Sequence, residues 1–283
     1  MLSANVSARL YVLSMNISPG QSRALFLVGV CSIVSIFVLE VFPDSIFSDV
    51  AYLNSILAFV ILGIFGLALI LIFKVQVLKF FQMPVRTMAS LVSIGVAAFI
   101  VILPILFSET EERLLGLSAL GLLFILAVGF CEEVFSRGFV YGYLERHGQY
   151  FGLIWSSIIF GLLHLNRYLG SNWDGWRAYS HVLSASAIGL FICALMVVTK
   201  SIWASVVFHA LANWQLAFKS RQENDAELLG QSLLENLLDP LWSVLFYSIF
   251  AFFILWVNSG MVLSPRVTTI LTRFKLVDQE PKV

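Results

Sequence analysis

An all-α, polytopic membrane protein is the fold class this sequence predicts. Three observations carry it. Of the 283 residues, 59% are hydrophobic and only 12% are charged, whereas a soluble domain is nearer half apolar and a quarter charged. The apolar residues gather into eight runs, most of them near the ~20 residues that a membrane-crossing helix needs. The charges collect between the runs or at their ends, as Glu40 does in the first, except for one group that falls inside the fourth.

Taken in order, the runs are Ala24–Phe42, Ala51–Phe73, Met88–Phe107, Leu114–Arg137, Phe151–His164, Val182–Thr199, Ile202–Ala217 and Pro240–Val257. The first is too long for a signal-peptide core and has no small-residue cleavage site before Pro43-Asp44, so it reads as a retained helix. The fourth continues past Arg137 with no clear stop before Gly148. The fifth is short for a full crossing. Asp239-Pro240 reads as an N-cap and first-turn pair opening the eighth. Tyr168–Tyr179 carries Trp173, Trp176 and Arg177, an aromatic cluster suited to the headgroup level. Residues 223–238 alternate acids with leucines and read as an amphipathic helix on the outer surface.

Orientation follows from the distribution of Lys and Arg. With the N-terminus inside, 12 of the 17 basic residues fall inside, among them Arg137, Arg146 and Lys200, and the acids lean outside. Both termini are then cytoplasmic. Residues 1–23 form an inner N-terminal segment and 24–113 three transmembrane helices. Residues 114–217 form a four-helix core, 218–258 the outer amphipathic segment with the last helix, and 259–283 an inner tail. Net charge is zero, which gives no reason to expect nucleic acid as a partner. Cys31, Cys131 and Cys193 lie far apart in apolar runs without a CxxC, which gives no zinc-ribbon signal and little case for a disulfide framework, and Cys31 and Cys193 read as buried structural thiols.

Charges inside a span are costly, on the order of 2.5–3.5 kcal/mol each on insertion scales, and they mark function by default. Glu132, Glu133 and Arg137 stand there together. Glu133 and Arg137 are four apart with the acid first, the favourable order for a helical pair. That pairing leaves Glu132, about 100° around the helix, as the free carboxylate, the state a general base requires. Phe160 and His164 share one face of the fifth helix, and His209 and Asn213 one face of the seventh. A lone histidine in a span is more often structural. Counted from the inner helix ends, however, Glu132, His164 and Asn213 all lie about 20 Å deep, and His209 about 14 Å. Polar groups at like depth in a bilayer must face one another or water.

Glu132-Glu133-x-x-x-Arg137, Phe160-x-x-x-His164 and His209-x-x-x-Asn213, in this order on successive polar helices, resemble the CPBP intramembrane proteases. These are the type II CAAX prenyl endopeptidases and their bacterial relatives, also called abortive-infection proteins. The resemblance covers about residues 114–217. It implies eight helices around a catalytic chamber in a bacterial or archaeal inner membrane. It also implies roles: Glu132 activates a water, His164 helps to hold it, and His209 with Asn213 stabilises the oxyanion. Glu133 and Arg137 would support them from behind, with Phe160 packed beside the site. The substrate implied is a membrane-associated or lipidated peptide or protein.

No cofactor is expected. Zinc is the alternative, because Glu132, His164 and His209 are legitimate ligands. Against it, no HExxH is present, and a glutamate that bound the metal could not also serve as the base. A catalytically silent adaptor or immunity protein is a second reading of the chain. A proton-coupled transporter is a third, and a Cys131–His164 thiol enzyme a fourth. His181, outside the three motifs, reads as an interfacial residue, and His147 as part of a turn.

Overall fold

The computed structural model describes residues 17–40, 52–107, 119–168, 175–214 and 233–259. These form helices joined by turns, and no strand occurs among them. The helices are α1 (Pro19–Glu40), α2 (Leu53–Ile72), α3 (Met88–Phe107), α4 (Ala119–Glu133), α5 (Gln149–Leu163), α6 (Gly175–Thr199), α7 (Ile202–Ala212) and α8 (Leu233–Asn258). Beyond Glu133, α4 continues as a π-helical stretch, Val134–Tyr141, and then through two short helical pieces, Gly142–Leu144 and Glu145–His147. By length and composition α1, α2, the continuous α4 rod, α6 and α8 can each cross a membrane, while α3, α5 and α7 are shorter apolar helices. The chain is thus an all-α polytopic membrane protein.

Several boundaries differ from the sequence expectation, each for a local reason. Helix α1 starts at Pro19 because Ser18 and Gln21 cap it reciprocally: the Ser18 hydroxyl accepts from the Gln21 amide at 3.2 Å, and Gln21 Oε1 accepts from the Ser18 amide at 2.8 Å. This is a capping box with proline in the first turn. Helix α6 begins at Gly175, not Val182, so Trp176 and Tyr179 lie on its first turns, with rings 6.4 Å apart. Helix α8 begins at Leu233, and Pro240 lies inside it. Asp239-Pro240 is therefore not its N-terminus; a proline is tolerated inside a membrane helix because neighbouring groups can satisfy the carbonyl it leaves without a donor. Residues 233–238 of the expected amphipathic segment belong to α8. The remainder of that segment, Trp173 and the tail lie outside the described residues.

One end of the bundle is basic and tied together. Helices α2 and α6 both close with Schellman turns that put a lysine, Lys74 or Lys200, in the left-handed region at φ 49° and 53°. Val75 N–H donates to the Ile70 carbonyl at 2.9 Å, and Ser201 N–H to that of Met196 at 3.2 Å. These bonds satisfy carbonyls that a helix end otherwise orphans. Arg146 donates to the carbonyls of Phe73 and Lys74, Lys79 pairs with Glu145 at 2.6 Å, and Ser201 donates to the Gln82 carbonyl. Lys74, Lys79, Arg146 and Lys200 therefore share one end, as the alternation of spans requires. Arg137 does not belong with them. It is fully buried in the helix rod, so it drops out of the orientation count.

Helix α6 is the centre, packed against α8, α5, α7 and α3. Phe191 through Met196 are all buried, as expected of a helix that is apolar on every side. Cys31 and Cys193 are buried free thiols, as the sequence suggested, and so is Cys131. Close helix approaches are made at glycines. A Cβ on Gly161 of α5 would run into the Ser186 hydroxyl and the Val182 carbonyl of α6. On Gly129 of α4 it would lie 3.0 Å from backbone atoms of Val206 and Ala210 in α7. Small residues at such crossings are what let membrane helices pack backbone to backbone. Here they draw α4, α5, α6 and α7 into one cluster.

Candidate active site

The charged residues of α4 occupy its junction with the π stretch. All eight residues from Val134 to Tyr141 are buried, so this turn lies inside protein rather than against lipid. π segments break the regular helical ladder and recur at functional sites.

Glu133 and Arg137 are each 0% exposed and approach to 3.2 Å between Oε2 and Nε. The contact lacks hydrogen-bond alignment, so charge holds the pair. Arg137 donates to the Gly189 carbonyl of α6 at 3.1 Å and lies over the Phe160 ring at 4.6 Å. Glu133 is not committed to Arg137 alone, as the sequence had suggested. Its other oxygen, Oε1, accepts from His209 Nδ1 at 2.8 Å. The carboxylate therefore fixes which nitrogen of His209 carries that proton and where the ring points. The second nitrogen, Nε2, faces Glu132 Oε2 at 3.6 Å, beyond hydrogen-bond range.

The two glutamates thus differ sharply. Glu132 keeps 16% of its side chain exposed. Its Oε2 is buried and accepts no hydrogen bond among the described residues, an arrangement that costs free energy unless function uses it.

His164 caps α5. The backbone there tightens, and the His164 amide bonds the carbonyls of Gly161 and Leu162. The Phe160 carbonyl is taken instead by the His164 ring, whose Nδ1–H donates to it at 2.9 Å. The Phe160 ring stands edge-on to His164 at 4.9 Å and to His209 at 5.7 Å. Phe160 therefore connects both histidines with Arg137 and does more than pack beside them. Asn213 is the C-cap of α7, not part of a span running to Ala217. Its amide bonds the His209 carbonyl at 3.1 Å, so His209 and Asn213 sit one turn apart at the helix end. An 11-residue helix is only about 16 Å long, so α7 ends roughly halfway across a ~30 Å hydrocarbon core.

His181 was read as interfacial, but its ring stands 4.9 Å from that of His164. The apolar run gave no sign of this, because Trp176-Arg177-Ala178-Tyr179-Ser180 interrupts it and makes α6 look shorter than it is. Cys131 has no place in the cluster. Its Sγ would lie 2.9 Å from a Cβ placed on Gly63 of α2, so the thiol faces that helix. Among the described residues, no three His, Cys, Asp or Glu side chains gather as a metal site would need.

Fold and site together define a polytopic helical membrane protein with a carboxylate–imidazole–guanidinium cluster enclosed by its helices. A family model, type II CAAX prenyl endopeptidase Rce1-like, matches residues 114–215. That segment holds all three motifs, and the match supports membership of the CPBP family. The family is one of CAAX-type intramembrane proteases. No curated protein and no solved structure matches the chain.

Proposed function

We propose that this protein is an intramembrane endopeptidase that hydrolyses a peptide bond of a membrane-associated or lipidated substrate, with Glu132 as the base that activates water. One observation carries the reading. Of two adjacent glutamates, Glu133 is buried, bonded by His209 and paired with Arg137, whereas Glu132 Oε2 has no hydrogen bond among the described residues. A general base needs a lone pair free to take a proton. In the proposed reaction a water gives its proton to Glu132 while its oxygen attacks the scissile carbonyl. His164 holds the water through Nε2, since Nδ1 is engaged by the Phe160 carbonyl. The tetrahedral oxyanion is received by His209 and Asn213. For His209 this requires Nε2–H, and because Nδ1–H is given to Glu133, the doubly protonated ring is the form that acts. Proton transfer from Glu132 to the leaving amine then completes cleavage. Each residue has one task and none is left for holding a metal, so the reading is metal-free.

The basic end of the bundle is proposed to face the cytoplasm, by the positive-inside bias. A reporter fused after Val283 should then behave as cytoplasmic, and its export would reverse the orientation. The functional test compares the membrane proteome of cells expressing wild type with that of cells expressing Glu132→Ala. A membrane peptide or protein that is cleaved with the former and accumulates intact with the latter is the expected result. Identical profiles alongside a well-folded wild-type protein would favour a silent adaptor.

A further inference from the structure

His181 and Tyr168 belong to none of the three motifs, yet they reach His164. Tyr168 lies one turn beyond His164 on the 3-10 stretch His164–Tyr168 that follows α5. Its hydroxyl is 3.2 Å from His181 Nδ1. The ring of His181 in turn stands edge-to-face with that of His164, at 4.9 Å and 70°. The near contact of Gly161 with Val182 and Ser186 brings α5 and α6 close enough for this meeting.

His164 is thereby restrained three ways. Its Nδ1 is tied to the Phe160 carbonyl. The Phe160 ring meets it at 4.9 Å, and the His181 ring meets it at the same distance from the neighbouring helix. Together these contacts fix the direction in which Nε2 of His164 points. A hydrogen bond from Tyr168 fixes His181 in turn, because a ring nitrogen bonded to a hydroxyl cannot rotate without breaking that bond.

We propose that His181, held by Tyr168, is a positioning residue that aims the His164 ring. The proposal rests on the reading of His164 as the residue that holds the water, and its test therefore needs a readout apart from cleavage. The chain has four histidines, so ring-15N-labelled full-length protein in detergent micelles gives a spectrum simple enough to assign by substitution. His181→Ala and Tyr168→Phe should each shift the His164 ring resonances, with His147 as the unmoved reference. Tyr168→Phe removes a single oxygen atom and carries the test if His181→Ala does not fold. Cleavage is followed with an internally quenched prenylated peptide. A misplacement of about 1 Å in a positioned group can cost about 10²-fold in rate. His181→Ala should lower kcat by roughly that factor, with KM changed less than about twofold. His181→Phe, which keeps a ring against His164, should recover part of the loss. If the His164 resonances are unmoved in both variants, or if kcat is unchanged in both, the positioning role is wrong. If wild type cleaves no peptide, the protease reading fails, while the resonances still decide whether His181 governs the His164 ring.

Discussion

The rod from Ala119 to His147 and the helix from Leu238 to Asn258 are nearly equal in hydropathy, and both are long enough to cross a membrane. Inside the protein they are opposites. The most apolar window of the first is 50% buried and that of the second 22%. Leu241, Trp242, Phe252 and Trp256 of α8 all lie more than half exposed, as lipid-facing side chains do, whereas the π stretch of α4 has no exposed residue. Hydropathy alone cannot separate these cases, because lipid and protein interior are equally apolar. What separates them is the polar insert. Glu132, Glu133 and Arg137 are affordable only where other helices supply partners, so their presence marks the rod that faces inward.

Two substitutions sharpen this contrast and give the largest expected difference. Arg137→Met removes the guanidinium partner of Glu133 and leaves that buried carboxylate to His209 alone, and breaking a buried pair costs about 3–5 kcal/mol. Phe252→Leu on α8, whose side chain is 66% exposed, should stay within about 0.5 kcal/mol of wild type. Thermal unfolding in detergent reads both. Similar losses would mean that α8 is packed against protein as α4 is.

Asn213→Ala should come next. Removing one oxyanion donor typically costs about 10²–10³ in turnover, and substrate affinity should change little. Steady-state kinetics give kcat and KM separately. An unchanged kcat would reduce Asn213 to a helix cap. The smallest effect is expected from chelation. Extensive treatment with a chelator that does not bind substrate should leave cleavage at its starting rate. Stoichiometric zinc whose removal stops cleavage, and whose return restores it, would make the glutamate-base mechanism wrong.

The sequence disclosed more of the site than of the helix ends. Glu132, Glu133 and Arg137 stood out because charge in an apolar run is costly, and helical spacing alone put Arg137 on Glu133. The same spacing could not reveal that Glu133 also holds His209, a contact between residues 76 apart that only packing creates. Nor could it reveal the π stretch, which shifts the helical phase without a residue-level signature. His181 was missed for a different reason. Tryptophan, arginine and tyrosine at the start of α6 are also what a membrane-interface loop contains, so composition favoured a loop where the chain is helical. Asp239-Pro240 misled in a similar way: a strong local start signal was overridden by helix continuing from Leu233.

The central claim is that the two adjacent glutamates do different work, and the most direct measurement compares Glu132→Gln with Glu133→Gln for turnover and thermal stability in the same detergent. Glu132→Gln should abolish turnover and keep an unfolding midpoint close to that of the wild type, since it removes the base and leaves the fully buried Glu133–Arg137 pair intact. Glu133→Gln should lose both activity and stability, because it unpairs Arg137 and frees His209. Equal stability for the two variants, with only Glu133→Gln inactive, would contradict the account and transfer the role of base to Glu133.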